Sequence, residues 1–142
     1  MPFAAGRMMA AVLAEGIDVF PMVVSVVDEK GNPVANASVS TVSLPEKSLE
    51  TMTDPKAKAR LRRAFRVATT DEYGFGLAFF LSNWTLELTA DKRLRHRDGT
   101  IRVEVKAAGF QNSSIEWIED QSVPPNAPES APVVTIILKK LP

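Results

Sequence analysis

The run Val23–Val42, V-V-S-V-V-D-E-K-G-N-P-V-A-N-A-S-V-S-T-V, restricts the fold of this chain more than any other stretch. Its aliphatic residues alternate on both sides of a Gly-Asn-Pro punctuation, the period of a pleated strand with one face turned to a core. Gly31 supplies the positive φ of a tight reversal, and Pro33 cannot continue a central ladder. The segment therefore predicts a strand to about Val27, a reversal over Asp28–Pro33 and a second strand near Ala37–Leu44, the opening of an antiparallel sandwich.

The same period recurs downstream. Phe65–Thr70 and Phe75–Ser82 read as a hairpin about Asp71-Glu72-Tyr73-Gly74. Trp84, Leu86 and Leu88 alternate, as do Ile101, Val103 and Val105, with Arg97-Asp98-Gly99 as the expected turn between them. Ile115 and Trp117 mark a further strand, and Val134, Ile136 and Leu138 the last, whose neighbours Val133 and Ile137 imply burial on both faces. About seven strands with regular turns predict an all-β, Greek-key, Ig-like or related β-sandwich. A chain of 142 residues, 45% of them hydrophobic, suits one such domain over residues 19–142.

Two segments stand outside this pattern. Residues 1–18 read as an N-terminal arm or short helix, with Met8, Met9, Val12 and Leu13 at helical spacing over about Gly6–Glu15. The same region, with Arg7 ahead of a short apolar run, also resembles the end of a secretory signal. The insertion at 45–64 predicts a short amphipathic helix: Thr53 or Asp54 caps it, Pro55 needs no backbone donor in the first turn, and Ala57, Leu61, Ala64 and Phe65 share a face. Its polar face carries Lys56, Lys58, Arg60, Arg62 and Arg63, with Arg66 just beyond. Lys92, Arg93, Arg95, His96 and Arg97 form a second basic cluster, expected in a loop or strand end. Both clusters read either as solvated faces that protect sheet edges or as parts of one surface for an anionic partner.

Three blocks, V-x-V-x-D-x-x-G-x-P-V-x-N-A-x-V at Val24–Val39, T-T-D-E-Y-G at Thr69–Gly74 and V-E-V-K-A-A-G-F at Val103–Phe110, resemble the carboxypeptidase regulatory-like domain family. The resemblance implies a transthyretin-like sandwich in which Gly31 and Pro33 form the first turn, Asp71 and Gly74 the second, and Ala108-Gly109-Phe110 the end of a central strand. None of these residues is catalytic in that family. The hydroxyisourate hydrolase of the same fold relies on several histidines and a C-terminal tetrapeptide, whereas this chain has one histidine and ends Lys139-Lys140-Leu141-Pro142.

The inventory of reactive groups points the same way. Without cysteine there is no disulfide, thiolate metal site or thiol nucleophile. His96 alone cannot furnish a zinc site, and no serine stands in a nucleophile turn. Asp28-Glu29, Asp71-Glu72 and Glu119-Asp120 occur where turns favour acids. The 17 basic and 17 acidic residues cancel, the basic stretches lack interleaved aromatics, and specific nucleic-acid binding is not expected. No apolar run reaches the roughly 18 residues of a membrane helix.

The sequence thus reads as a noncatalytic structural or assembly protein without cofactor or metal, such as an accessory subunit of a virion, envelope or secretion complex. Its partner would be protein, another copy included, met through the arm and the basic insertion. The alternative is an extracytoplasmic module that binds carbohydrate or peptide through loops at one end of the sandwich.

Overall fold

The computed structural model describes residues 11–43, 53–89, 92–123 and 131–142. Seven strands, β1 (Ala11–Asp28), β2 (Ser38–Ser43), β3 (Ala68–Thr69), β4 (Phe75–Thr89), β5 (Lys92–Lys106), β6 (Ser113–Val123) and β7 (Val133–Leu138), form an all-β sandwich with one short helix, α1 (Pro55–Leu61). The ladder runs β3-β2-β5-β4-β1-β7, with β6 on the remaining edge of β5. β5 pairs with β4 through Lys92–Asp98 and with β2 through Ile101–Lys106. It therefore passes from one layer to the other, a corner of the kind that lets a single strand serve two packed sheets.

That corner explains a difference from the sequence reading. Arg97-Asp98-Gly99 is not a turn: it lies inside β5, where pairing with β4 ends at Asp98 and pairing with β2 begins at Ile101. Gly99 takes φ of 157° with open space around it, so it is the backbone conformation that calls for glycine here as at a hairpin tip, and the sequence alone does not separate the two. The reversal lies between Thr89 and Lys92, which pair across the hairpin. In consequence the two short runs read as Phe75–Ser82 and Trp84–Leu88 are one strand of 15 residues.

Three further expectations change. From Ala11 the chain is strand, not helix: β1 is 18 residues long and pairs with β4 from Ala11↔Leu88 to Ser25↔Phe75, with an irregularity between Val12 and Ala14. β4 pairs with one edge of the strand from Ala11 to Ser25 and β7 joins the other edge from Val23 to Asp28, over a length of about 60 Å at the rise of a strand. Met8 and Met9 lie outside the described residues, as do residues 44–52, which include the first part of the insertion, and residues 124–130. The expected Phe65–Thr70 hairpin partner is reduced to β3, which pairs with β2 instead of β4. The sandwich is also not wholly antiparallel, because β7 lies parallel to β1 from Val23↔Val133 to Asp28↔Leu138.

The main core fills the space between the layers. Phe20, Met22, Val24 and Val26 of β1 meet Ala78 and Phe80 of β4, Val39 of β2, Ile101, Val103 and Val105 of β5, and Val134, Ile136 and Leu138 of β7. Trp117 of β6 sets its edge on Phe80, ring centroids 5.6 Å apart at 71°. The alternate side chains of β1 and β4 face outward. There Ile17, Val19 and Leu81 are covered by Leu61 and Ala64 of α1 and the 3-10 turn Arg62–Phe65 that follows it. α1 forms as its sequence predicts: Asp54 caps it, its side chain accepting from the Lys56 N–H at 3.1 Å, and Pro55 opens the first turn.

Buried hydroxyls tie the irregular connections to this frame. Thr70 Oγ1 donates to the Val34 carbonyl at 2.7 Å and accepts from the Ala37 N–H at 2.9 Å, so the crossover from β1 to β2 is pinned on the approach to β4. Thr41 Oγ1 donates to the Phe79 carbonyl at 2.6 Å, joining β2 to β4. After β7 the chain meets the β5–β6 connection: Gln111 N–H donates to the Lys139 carbonyl at 2.8 Å and Leu141 N–H to the Gly109 carbonyl at 3.0 Å.

The two acidic turns are built alike. Asp28 Oδ1 accepts from the N–H groups of Lys30 and Asn32, both at 2.9 Å, and Asp71 Oδ1 from those of Tyr73 at 2.9 Å and Phe75 at 3.0 Å. Gly31 and Gly74 take φ of 84° and 82°. Space around them differs. A Cβ on Gly31 would meet nothing within 4 Å, whereas one on Gly74 would stand 2.5 Å from the Val26 carbonyl oxygen. Urea unfolding should therefore show Gly31→Ala losing about 1 kcal/mol, the left-handed backbone penalty alone, and Gly74→Ala distinctly more, because Gly74 is held against β1, its C=O accepting from the Val26 N–H while its N–H donates to the Asp71 carbonyl.

The Asn32 backbone N–H, with smaller help from Lys30 and from the charge of Lys140, holds the Asp28 carboxyl below its ordinary value of 3.8. A carboxyl whose folded value lies below its unfolded one stabilises the fold fully above the unfolded value, and that contribution drains away as pH falls through the folded value. Stability measured from pH 6 downward, a range spanning the ordinary carboxylate values, should lose a component below 3.8 that is absent in Asp28→Asn.

Candidate functional site

The interior face of the sheet does not stay apolar along its length. On β1 the inward positions run Val26, Val24, Met22, Phe20 and then Asp18; on β4 they run Ala78, Phe80, Ser82 and Trp84. At the level of Trp84 the facing residue of β5 is Arg97, and one step on Leu86 faces Arg95. The sandwich interior thus ends in a cleft of ≈190 Å³ lined by Asp18, Val19, Phe20, Trp84 and Arg95.

Each wall has a local cause. Trp84 lies flat across β1 because its partner in the ladder is Gly16; a Cβ there would stand 3.0 Å from the indole. Arg97 is 6% exposed and places its guanidinium carbon 4.0 Å from the centroid of the Phe20 ring. A cation over an aromatic face inside a low-dielectric site is worth about 2 kcal/mol, and here it holds the Phe20 ring that lines the cleft. Asp18 reaches outward around the edge of β1, which β7 joins only from Val23, to Arg60 of α1 at 3.8 Å. Both side chains are well exposed, so the pair orients more than it stabilises.

The two basic clusters do not make one patch. α1 lies on the outer face of the sheet, whereas Arg95 and Arg97 project from the inner face with Phe20 and Trp84. Arg93 is exposed, and Lys92 opens β5. The second cluster is therefore the strand end the sequence allowed, not a loop, and along it Arg95 and Arg97 are drawn progressively into the interior. On the helix, Lys56, Arg60, Arg62, Arg63 and Arg66 are exposed and Lys58 is half-buried. Arg63 lies over the Phe79 ring, 5.0 Å from its centroid. Val12 and Leu13 belong to β1.

Two groups of residues escaped the sequence reading. The cleft residues Asp18, Phe20 and Trp84 belong to strands whose alternation is read as core, and only the change from apolar to charged at one end of that alternation marks a site. The second group is on the outer face. Val133 and Ile137, expected to be buried, are 65% and 59% exposed, and Leu77 and Phe75 are 54% and 46% exposed. An uninterrupted apolar run signals burial on both faces, but α1 is too short to cover the whole outer sheet. Tyr73, in the turn before β4, is exposed as well.

Among the described residues no group of three or more His, Asp or Glu side chains could hold a metal ion, and no helix is long and apolar enough to cross a membrane. The sequence matches no known family profile and no curated protein. In three dimensions the chain is similar to 3-chlorocatechol 1,2-dioxygenase from Rhodococcus opacus 1CP, with a TM-score of 0.54, 14% identity and coverage of 98% of this chain and 69% of that one. This likeness corrects the expectation that the chain is not an enzyme: the architecture that suggested a scaffold without chemistry is one on which an enzyme is built. At such identity it establishes the fold and transfers no residue, metal or reaction.

Substituting Gly16→Val should push Trp84 off β1, shifting its fluorescence maximum and raising its accessibility to iodide, while far-ultraviolet circular dichroism keeps its strand signal. A spectrum identical to the parent protein would show that the indole does not rest on Gly16.

Proposed function

We propose that the chain is a structural or assembly subunit that acts by docking on other protein chains. The observation that carries this reading is the outer face of the β1–β4–β7 sheet, where Val133, Ile137, Leu77 and Phe75 stand exposed beside a helix and 3-10 turn that expose Lys56, Arg60, Arg62 and Arg63. Apolar side chains clustered on one sheet face and rimmed by charge are the composition of a protein interface, with a dehydrated centre and a polar margin. The resemblance to carboxypeptidase regulatory-like domains agrees with this reading, since such domains accompany larger machines. An accessory role in a virion, envelope or secretion complex is the form of assembly it suggests.

A second reading, a module that binds carbohydrate or peptide, is favoured by one observation: the cleft at the end of the sandwich offers the Trp84 indole beside Arg95 and Asp18. An aromatic plane with charged hydrogen-bonding groups at its edge suits a sugar ring or a peptide carboxylate.

Purification of the tagged full chain from its source under native conditions tests the first reading. A stoichiometric protein partner should co-purify, and its retention should fall about tenfold when Leu77→Asp is introduced. A chain recovered without partner, and bound on glycan or peptide arrays in a manner abolished by Trp84→Ala, would favour the second reading instead.

A further inference from the structure

From the bare outer sheet and its two charged flanks we infer that a second copy of this chain stacks face to face on it, antiparallel, about a two-fold axis perpendicular to the strands. The inference rests on the assembly reading and names one partner for it. The face is ordered in rows: Val133, Val23 and Leu77 lie abreast, then Thr135, Ser25 and Phe75, then Ile137 and Val27. None of these positions carries a charge. Such a surface attracts neither an anionic nor a cationic partner to its centre, and dehydrating it against its own copy leaves no ion unpaired.

The flanks set the orientation. Toward the N-terminal half of β1 the face is closed by α1 and its 3-10 extension, which pack on Ile17, Val19 and Leu81 and carry Lys56, Lys58, Arg60, Arg62 and Arg63, with Arg66 just beyond and no acid from Pro55 to Arg66. At the other end of β4 lies the turn Asp71–Gly74, with two acids and no base. Asp28 and Glu29, at the same end of β1, already sit with Lys30 and Lys140 around one shallow pocket. The uncompensated acidic corner is therefore on β4, the strand over which Arg63 and Phe79 also meet.

A two-fold axis perpendicular to the strands keeps β4 opposite β4 of the other copy and exchanges its ends. The basic helix of each copy then meets the Asp71–Gly74 turn of the other, and Lys139 and Lys140 of the two copies move to opposite ends of the contact. The level also fits. A helix and a second sheet both pack about 10 Å above a sheet, so the partner's layer comes to rest beside α1 as against a step.

Magnitude decides that the flanks take part. The apolar rows span roughly 14 by 17 Å, from three strand spacings and five residues of rise, less than the roughly 800 Å² per partner that a stable interface buries. The centre alone would give a weak contact, and helix and turn supply the remaining area. Parallel stacking would oppose helix to helix and gain repulsion instead.

Light scattering on the eluting full chain tests this directly. The parent protein should run near twice its chain mass of 15.5 kDa, and Leu77→Asp should run as a monomer with an unchanged circular-dichroism spectrum. Glu72→Arg alone, and the pair Arg62→Glu with Arg66→Glu alone, should each weaken the dimer about tenfold or more. An equimolar mixture of those two proteins should regain the dimer as a mixed species, which also shows that both are folded. A parent protein that is monomeric, a Leu77→Asp protein that stays dimeric, or a mixture that fails to recombine overturns the inference. A monomeric parent that still brings a different protein out of its source refutes self-association and leaves the assembly reading standing.

Discussion

Everything in this molecule hangs on one strand whose two faces are both apolar. β1 sends Phe20, Met22, Val24 and Val26 into the space between the layers and Ile17, Val19, Val23 and Val27 to the outside. The inward set is dehydrated almost completely by four other strands. Each such side chain contributes about 1.5–3 kcal/mol of transfer free energy, the largest favourable item in a fold of this size. The outward set is covered only where α1 and its 3-10 extension reach, and that inequality between the two faces is what gives the protein a surface to present.

Much of the interior was legible in the amino-acid order. The alternation Phe20–Val26, the turn acids and glycines of Asp28–Gly31 and Asp71–Gly74, and the capped helix after Asp54 all follow from local rules, because each is decided within a few residues. What could not be read was decided by distant partners. Asp98-Gly99 looks like a hairpin tip, yet it lies where β5 trades β4 for β2, a change fixed by residues some 15 positions upstream and some 60 positions before it in the ladder. The segment from Ala11 suits a helix by spacing, but β4 offers it a continuous line of backbone partners. Val133 and Ile137 have the composition of a buried strand, and nothing in their own neighbourhood reveals that their side chains stand exposed.

The charged residues show the same division between local and distant causes. Six basic residues between Lys56 and Arg66, on α1 and just after it, are visible at once as a surface feature. Arg97 belongs to an equally basic run, yet it is taken into the interior because the register of β5 on β4 sets it beside Trp84 and above Phe20. Charge counted along the sequence therefore overstates the basic surface: the run at 92–97 divides between the two faces of a sheet, and only part of it meets solvent.

The passage of β5 between layers has a mechanical consequence. Along that margin the sandwich is a single creased ribbon, and parting the layers there would rupture a continuous backbone ladder. At the opposite margin the residues after β7 hold the β5–β6 connection by two main-chain bonds, from Gln111 to Lys139 and from Leu141 to Gly109. Breathing of the interior must start at this latch, so Lys139–Leu141 act as the catch that governs when solvent can reach the core.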